Sequence, residues 1–162
     1  MKKLLPLVAA GLCLTSAPTL AQTTAPAVHP TYAARVITLA EAKSVVAAAE
    51  AEARKNGWSM VITVVESNGA VVLSEKMDGA QYGSIDVALK KAQTATNFRR
   101  PTSYFQDAVK AGTLNAIFTG AMAIEGGELL LVDGKIVGAL GVSGGSAPQD
   151  GIIARAAAAT LK

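Results

Sequence analysis

The sequence predicts an α+β domain whose sheet is mainly antiparallel. Two pairs of apolar, largely β-branched segments are each joined by a short turn, at residues 60–65 and 71–76 around Asn68-Gly69 and at 128–132 and 135–142 around Asp133-Gly134. Asn-Gly and Asp-Gly are the strongest short signals of a β-hairpin, and a hairpin pairs its strands antiparallel. Helical patterns lie between and beyond the hairpins, so we expect helices packed on this sheet.

Capping signals and the helical spacing of apolar residues predict four helices. Thr38 and Glu41 form a capping box before the first helix, and Gly57 follows its end. Ser84 is expected to cap the second helix, and Pro101 to stop it, because the residue before a proline disfavours helical backbone. The predicted helices span 39 to about 56, 85–98, 103–110 and 147–161, whereas 113–127 fits neither a helix nor a strand clearly.

The N-terminus predicts a secretory signal peptide over residues 1–21. Lys2 and Lys3 precede an apolar run that is too short to span a bilayer and ends in small residues. We therefore expect a periplasmic or secreted protein that begins near Gln22, without stable membrane insertion after cleavage. Residues 22–37 are polar and lack a period, which predicts a flexible leader. Residues 38–162 then form a single domain.

Composition excludes several classes of function. The 162 residues carry a net charge of +3, and removing the two lysines of the signal leaves about +1, so nucleic-acid binding loses its support. Cys13 is the only cysteine and lies in the signal, which leaves a mature chain without disulfides or thiol catalysis. His29 is the only histidine, so a serine–histidine catalytic site or a histidine-ligated metal site is not expected.

The helix after Ser84 carries the clearest candidate binding residues. Lys91, Thr94 and Phe98 lie three and four residues apart, which places them on one helix face, and Arg99 adds positive charge at its end. A small anionic ligand such as a carboxylate would suit this cationic end. A solvated lysine and a core phenylalanine would produce the same pattern, so both interpretations stay open.

Three other patterns are weaker. The imidazole of His29 is a candidate axial ligand for haem iron, although its place in the leader favours a solvated linker residue. Glu125 and Glu128 flank two glycines but lack the further oxygen ligands that a hard cation requires. The glycines before Ser146 have neither the dinucleotide-binding spacing nor that of a phosphate loop, which disfavours nucleotide binding.

Three longer segments carry a resemblance to a known family: VITVVESNGAVVLSEKMDGA, SIDVALKKAQTATNFRRPT and VDGKIVGALGVSGGSAPQDGIIARA. In this order and spacing they resemble the GlcG/HbpS family of haem-binding-like proteins, which also includes the C-terminal domain of PduO-type proteins. The resemblance covers about residues 39–159. It implies an antiparallel sheet of about five strands with helices on it, assembly into homo-oligomers and, in some members, export and haem binding.

By the same resemblance, the ligand region would involve Met77 and Asp78, the helix face of Lys91 and Thr94, and the turn at Thr102. Haem-binding relatives use a histidine within the folded domain, and this chain has none there. An iron ligand would have to come instead from Thr102, Met77, Tyr82 or His29.

The leading hypothesis is an exported, oligomeric protein that binds or senses haem or a related tetrapyrrole. One alternative is an enzyme or accessory subunit acting on a small carboxylate metabolite held by Lys91, Arg99 and the glycine-rich turn, but no clear nucleophile or general base supports it. The other is a structural oligomeric adaptor whose alanine-rich helix faces serve only assembly.

Overall fold

The computed structural model describes residues 29–115 and 120–162. The predicted signal peptide, the leader segment 22–28 and Cys13 lie outside the described residues. The secondary-structure elements are α1 (Leu39–Lys55), β1 (Val61–Glu66), β2 (Val71–Lys76), α2 (Gly83–Phe98), α3 (Thr102–Lys110), β3 (Gly127–Val132), β4 (Lys135–Ser143) and α4 (Ala147–Ala158).

The strands form one antiparallel sheet in the order β2-β1-β4-β3, which confirms the predicted α+β class. Both predicted hairpins are present. Asp133 and Gly134 have φ angles of 50° and 71°, the left-handed backbone that a two-residue type I′ turn requires. Among the described residues the sheet has four strands, one fewer than the resemblance implies.

Helices cover both faces of the sheet. Ile62, Val64 and Leu140 belong to the main hydrophobic core, which α1 and α4 close on one side. Val65 and Ala139 point to the opposite face and pack against α2. Because side chains alternate along a strand, a sheet covered on both faces needs apolar residues at every position, and β1 is almost continuously apolar for this reason.

The helix boundaries differ from the predicted ones by a few residues. α2 begins at Gly83, and Ser84 lies inside the helix instead of capping it. The backbone N–H of Ser84 donates to the Gln81 carbonyl, so the preceding turn runs directly into the helix. α3 begins at Thr102, and α4 ends at Ala158. The capping box of Thr38 and Glu41 at α1 is confirmed.

The described part of the predicted leader is hydrogen-bonded to the sheet. The Ile136 N–H donates to the Thr31 carbonyl, the Ala33 N–H to the Ile136 carbonyl, and the Ile37 N–H to the Val137 carbonyl. β1 pairs with β4 only from Gly138 onwards, so this segment occupies the place beside β4 that β1 leaves open. Backbone groups make these bonds, and a side-chain pattern therefore could not indicate them.

Candidate functional site

The seven predicted ligand-binding residues lie in three different places in the structure. Three lie in the interior around α2, two at the turn after β2, and two at the end of α2. These sets are Lys91, Thr94 and Thr102; Met77 and Asp78; and Phe98 and Arg99.

Lys91 is fully buried, with 0 % of its surface exposed. Its ammonium nitrogen lies 2.6 Å from Oδ2 of Asp150 and 2.9 Å from the Val142 carbonyl oxygen. Burial lowers the pKa of Lys91, and the hydrogen bond that Lys91 donates to Asp150 opposes that shift by stabilising the charged form. A lysine that is enclosed and already paired cannot hold an external carboxylate, so Lys91 serves the fold in this structure.

The two threonines hold the chain that enters β3. Thr94 Oγ1 accepts the backbone N–H of Met122 at 2.9 Å, and Thr102 Oγ1 accepts that of Gly127 at 2.8 Å. Both threonines are buried, and the Gly127 N–H that Thr102 satisfies is buried as well, where an unpaired N–H would be costly. Thr94 and Thr102 therefore anchor the backbone of the segment that leads into β3.

Met77 and Asp78 border a cavity of about 410 Å³ beside the end of α1. Met77 is itself buried, and its sulfur accepts the Met60 N–H at 3.5 Å. The walls of the cavity are Arg54, Gly57, Trp58, Ser59, Met77 and Asp78. Arg54 and Asp78 bring opposite charges to this cavity, next to the indole of Trp58. Neither His29 nor Phe98 is among the residues that line it.

A second cavity, of about 420 Å³, lies where α2 ends and α3 begins, and we call it the α3 groove. It combines apolar and aromatic walls with one cation, and its volume falls within the range of about 300–1,000 Å³ typical of small-molecule sites. The residues that line it are Phe98, Arg100, Tyr104, Phe105, Ala108, Thr113 and Leu114.

The aromatic residues of the α3 groove form a connected set. The Phe98 and Phe105 rings meet edge to face with centroids 5.1 Å apart, and Tyr104 meets Phe105 in the same manner at 5.4 Å. Phe105 is buried, whereas Phe98 is 39 % and Tyr104 52 % exposed. Two solvent-exposed aromatic surfaces are thus held rigidly by a buried third ring, which prepares them to pack on a flat apolar ligand.

Arg100 supplies the positive charge of the α3 groove, and His29 lies beside it. The guanidinium carbon sits 4.2 Å from the Tyr104 ring centroid, and the Arg100 NH2 group donates to Nε2 of His29 at 2.8 Å. The fork of Arg100 keeps further N–H donors available for an anion. Arg99, the arginine that the sequence favoured, is instead the left-handed C-cap of α2, with a φ of 53°.

Sequence reasoning missed Tyr104 and Phe105 as site residues. The available signal was the aromatic pair placed directly after Arg100-Pro101, because a proline turn at the start of α3 returns those rings toward the end of α2. Helical spacing within α2 alone could not show that contact.

Charged side chains also gather where β3 meets α4. Arg155 donates to Glu125, and Glu128 lies buried near both. Burial raises the pKa of Glu128 to about 7, while the charge of Arg155 opposes this shift and that of Glu125 adds to it. No group of three or more histidine, cysteine, aspartate or glutamate side chains within residues 29–115 and 120–162 is arranged to hold a metal ion.

We expect Glu128→Gln to flatten the pH dependence of stability. The folded state holds this proton more tightly than the unfolded chain, whose pKa is near 4.5. The resulting stabilisation is complete below about pH 4.5 and is lost as the pH rises through about 7, a difference of at most about 3 kcal/mol. At about pH 8 the variant should therefore be more stable than the parent protein.

Urea unfolding between about pH 5 and 8 measures this difference. Glu75→Gln, which removes a carboxylate from β2, should leave the pH dependence of the parent unchanged. If the free energy of unfolding changed equally with pH in the parent and in Glu128→Gln, the expected protonation of Glu128 would be contradicted.

None of the described helices is long and apolar enough to cross a membrane.

Comparison with known proteins places these features in a family. A family model described as "Haem degrading protein HbpS-like" matches residues 37–159. An uncharacterized 15.0 kDa protein of the dhaT-dhaS intergenic region of Citrobacter freundii is 39% identical over 126 residues, covering 75% of this chain and 89% of that protein.

Solved structures share the fold. Klebsiella pneumoniae protein ORFY superposes with a TM-score of 0.74 at 29% identity, covering 82% of this chain and 97% of that one. A complex of PduOC with heme gives a TM-score of 0.72 at 28% identity, covering 78% and 96%. Together with the family match over most of the folded domain, these similarities establish that the chain belongs to the HbpS-like family.

Proposed function

We propose that this chain is an exported, oligomeric protein that binds haem, or a related planar anionic tetrapyrrole, in the α3 groove. The observation that carries the proposal is the juxtaposition of exposed aromatic rings with the Arg100 guanidinium and the His29 imidazole. The structure of PduOC in complex with heme, a protein of the same fold, supports this choice of ligand.

The residues of the α3 groove suit the chemistry of haem. Phe98 offers apolar ring surface to a flat macrocycle, Tyr104 adds a phenol, and Arg100 offers charge-assisted hydrogen bonds to the carboxylates of the ligand. Imidazole and phenol groups are both known axial ligands of haem iron. Bound haem would supply the redox and ligand chemistry of iron, and the protein's own contribution is to enclose it and neutralise its charge.

The Met77 and Asp78 cavity is a poorer candidate for haem. It carries the carboxylate of Asp78, which would repel a haem propionate, and its lining holds one aromatic ring rather than three. We therefore place the ligand at the end of α2 and not at the turn after β2.

Export and assembly complete the proposal. The lysines, apolar run and small residues of segment 1–21 support export, which N-terminal sequencing of secreted or periplasmic protein would test by showing a chain that starts near Gln22. Exposed apolar side chains support a homo-oligomer, among them Tyr82 at 84 % exposure. Light scattering that showed a monomer at micromolar concentration would contradict assembly.

The decisive test is a haem titration of the mature protein followed by the Soret band. We expect a saturable shift at micromolar haem or below. Arg100→Ala should weaken binding at least about tenfold, because a hydrogen bond to a charged group contributes about 1.5–3 kcal/mol.

Arg54→Ala provides the matched control, since it removes the same charge from the other cavity. It should leave haem affinity unchanged. An unshifted Soret band with the parent protein would end the proposal, and a loss of affinity in Arg54→Ala but not in Arg100→Ala would move the site to the Met77 and Asp78 cavity.

A further inference from the structure

Few of the described side chains at the α3 groove have an atom that can coordinate iron. Among the described residues, neither a methionine nor a cysteine lines the groove. Arg100 has no free lone pair, the phenylalanine rings carry no donor atom, and the Thr113 hydroxyl already donates a hydrogen bond to the Ala108 carbonyl oxygen at 3.0 Å. The phenol of Tyr104 and the imidazole of His29 at the edge of the groove are left as candidates.

The imidazole of His29 is already engaged. A guanidinium can only donate hydrogen bonds, so Nε2 of His29 accepts from Arg100 through its lone pair. Iron would need that same lone pair, and the other ring nitrogen carries the proton in the neutral tautomer. Coordination by His29 would therefore break its hydrogen bond to Arg100.

The phenol oxygen of Tyr104, unlike Nε2 of His29, is not engaged by another group among the described residues. Its ring is 52 % exposed and lines the α3 groove, and no hydrogen bond of its hydroxyl occurs within residues 29–115 and 120–162. One ring face is covered by the Arg100 guanidinium at 4.2 Å, and the Phe105 ring holds the side chain at 5.4 Å. The oxygen is thus accessible on a ring that two neighbours fix in place.

We infer that Tyr104 is the axial ligand of ferric haem in the α3 groove and that Arg100, held by His29, offsets the charge of the coordinating phenolate. The inference rests on the proposed function and deepens it. Coordination forms an iron–oxygen bond and breaks the phenol O–H bond, and the released proton passes to water. Tyrosinate is an established haem ligand, and a neighbouring cation favours the anionic oxygen that it requires.

Tyr104→Phe tests this assignment with two probes, hemin and metal-free protoporphyrin IX. The parent protein with hemin should show the iron–phenolate modes of a tyrosinate complex in resonance Raman spectra. The variant should lose these modes and bind hemin at least about tenfold more weakly. Its affinity for the metal-free porphyrin should stay within about twofold of the parent, which also reports an intact groove.

Tyr82→Phe is the matched comparison, because Tyr82 is an exposed tyrosine that the sequence also offered as an iron ligand but that does not line the groove, and loss of the phenolate modes in this variant would assign the ligand to Tyr82 instead. It should preserve both affinities and the spectrum. The inference would be overturned if the hemin spectra of Tyr104→Phe were unchanged. It would also be overturned if the parent lacked the phenolate modes and its spectrum depended on His29. In either case haem binding itself would still hold. A parent protein that bound neither probe would refute the proposed function and the inference together.

Discussion

Lys91→Ala is expected to lower the free energy of unfolding by about 3–5 kcal/mol, the loss typical of breaking a buried ion pair from one side. Removing the ammonium leaves the Asp150 carboxylate enclosed, with its exposed fraction only 3 %. It also leaves the Val142 carbonyl without the donor that now lies 2.9 Å away. Urea unfolding at neutral pH measures the loss.

Lys90→Ala is the matched control for this substitution. Lys90 precedes Lys91 on α2, but its side chain is exposed and makes no ion pair among the described residues. Its replacement should change stability by less than about 0.5 kcal/mol. If Lys90→Ala and Lys91→Ala were equally stable, the ion pair would have no structural importance.

A double substitution separates the pairing from the loss of packing. Lys91→Met with Asp150→Asn replaces both charges, and the asparagine oxygen can still accept the Gly145 N–H that Asp150 now accepts at 2.9 Å. We expect the double variant to lose about 1–3 kcal/mol less than the sum of the two single losses. Additive losses would show that the two side chains act independently.

The fold could be predicted because its signals are local. Asp133-Gly134 dictates a hairpin through the backbone angles of two residues, and the box of Thr38 and Glu41 marks the start of α1 within a single turn. Such features depend on neighbours in the sequence, and the structure confirms them. The attachment of the leader to β4 depends on distant backbone groups and could not be predicted in this way.

The candidate site was harder to predict because its contacts join distant parts of the chain. Helical spacing correctly puts Lys91 and Phe98 on α2, but the burial of Lys91 depends on Asp150, 59 residues later. Arg100 likewise meets His29 across 71 residues. The sequence alone does not distinguish the exposed Lys90 from the buried Lys91, because both are lysines on the same helix. The interpretation of Lys91 as a ligand-binding cation depended on that difference.

Gly141→Ala is expected to prevent stable folding, or to lower the free energy of unfolding by more than about 3 kcal/mol. A methyl group at Gly141 would lie only 1.9 Å from the Ala88 carbonyl oxygen and 2.7 Å from the Ala92 nitrogen, both in the backbone of α2. Backbone atoms cannot rotate away, so the whole helix would have to move off the sheet. Circular dichroism and thermal unfolding measure the outcome.

Two further variants show whether close packing is the cause. Gly83→Ala introduces the same methyl group at the start of α2, where no atom lies within 4 Å, and it should be neutral or slightly stabilising. Ala88→Gly added to Gly141→Ala should give no rescue, because the obstructing atom is the carbonyl oxygen and not the Ala88 side chain. A stable Gly141→Ala protein would mean that α2 can shift on the sheet, which would also displace the end of α2 that forms one wall of the α3 groove.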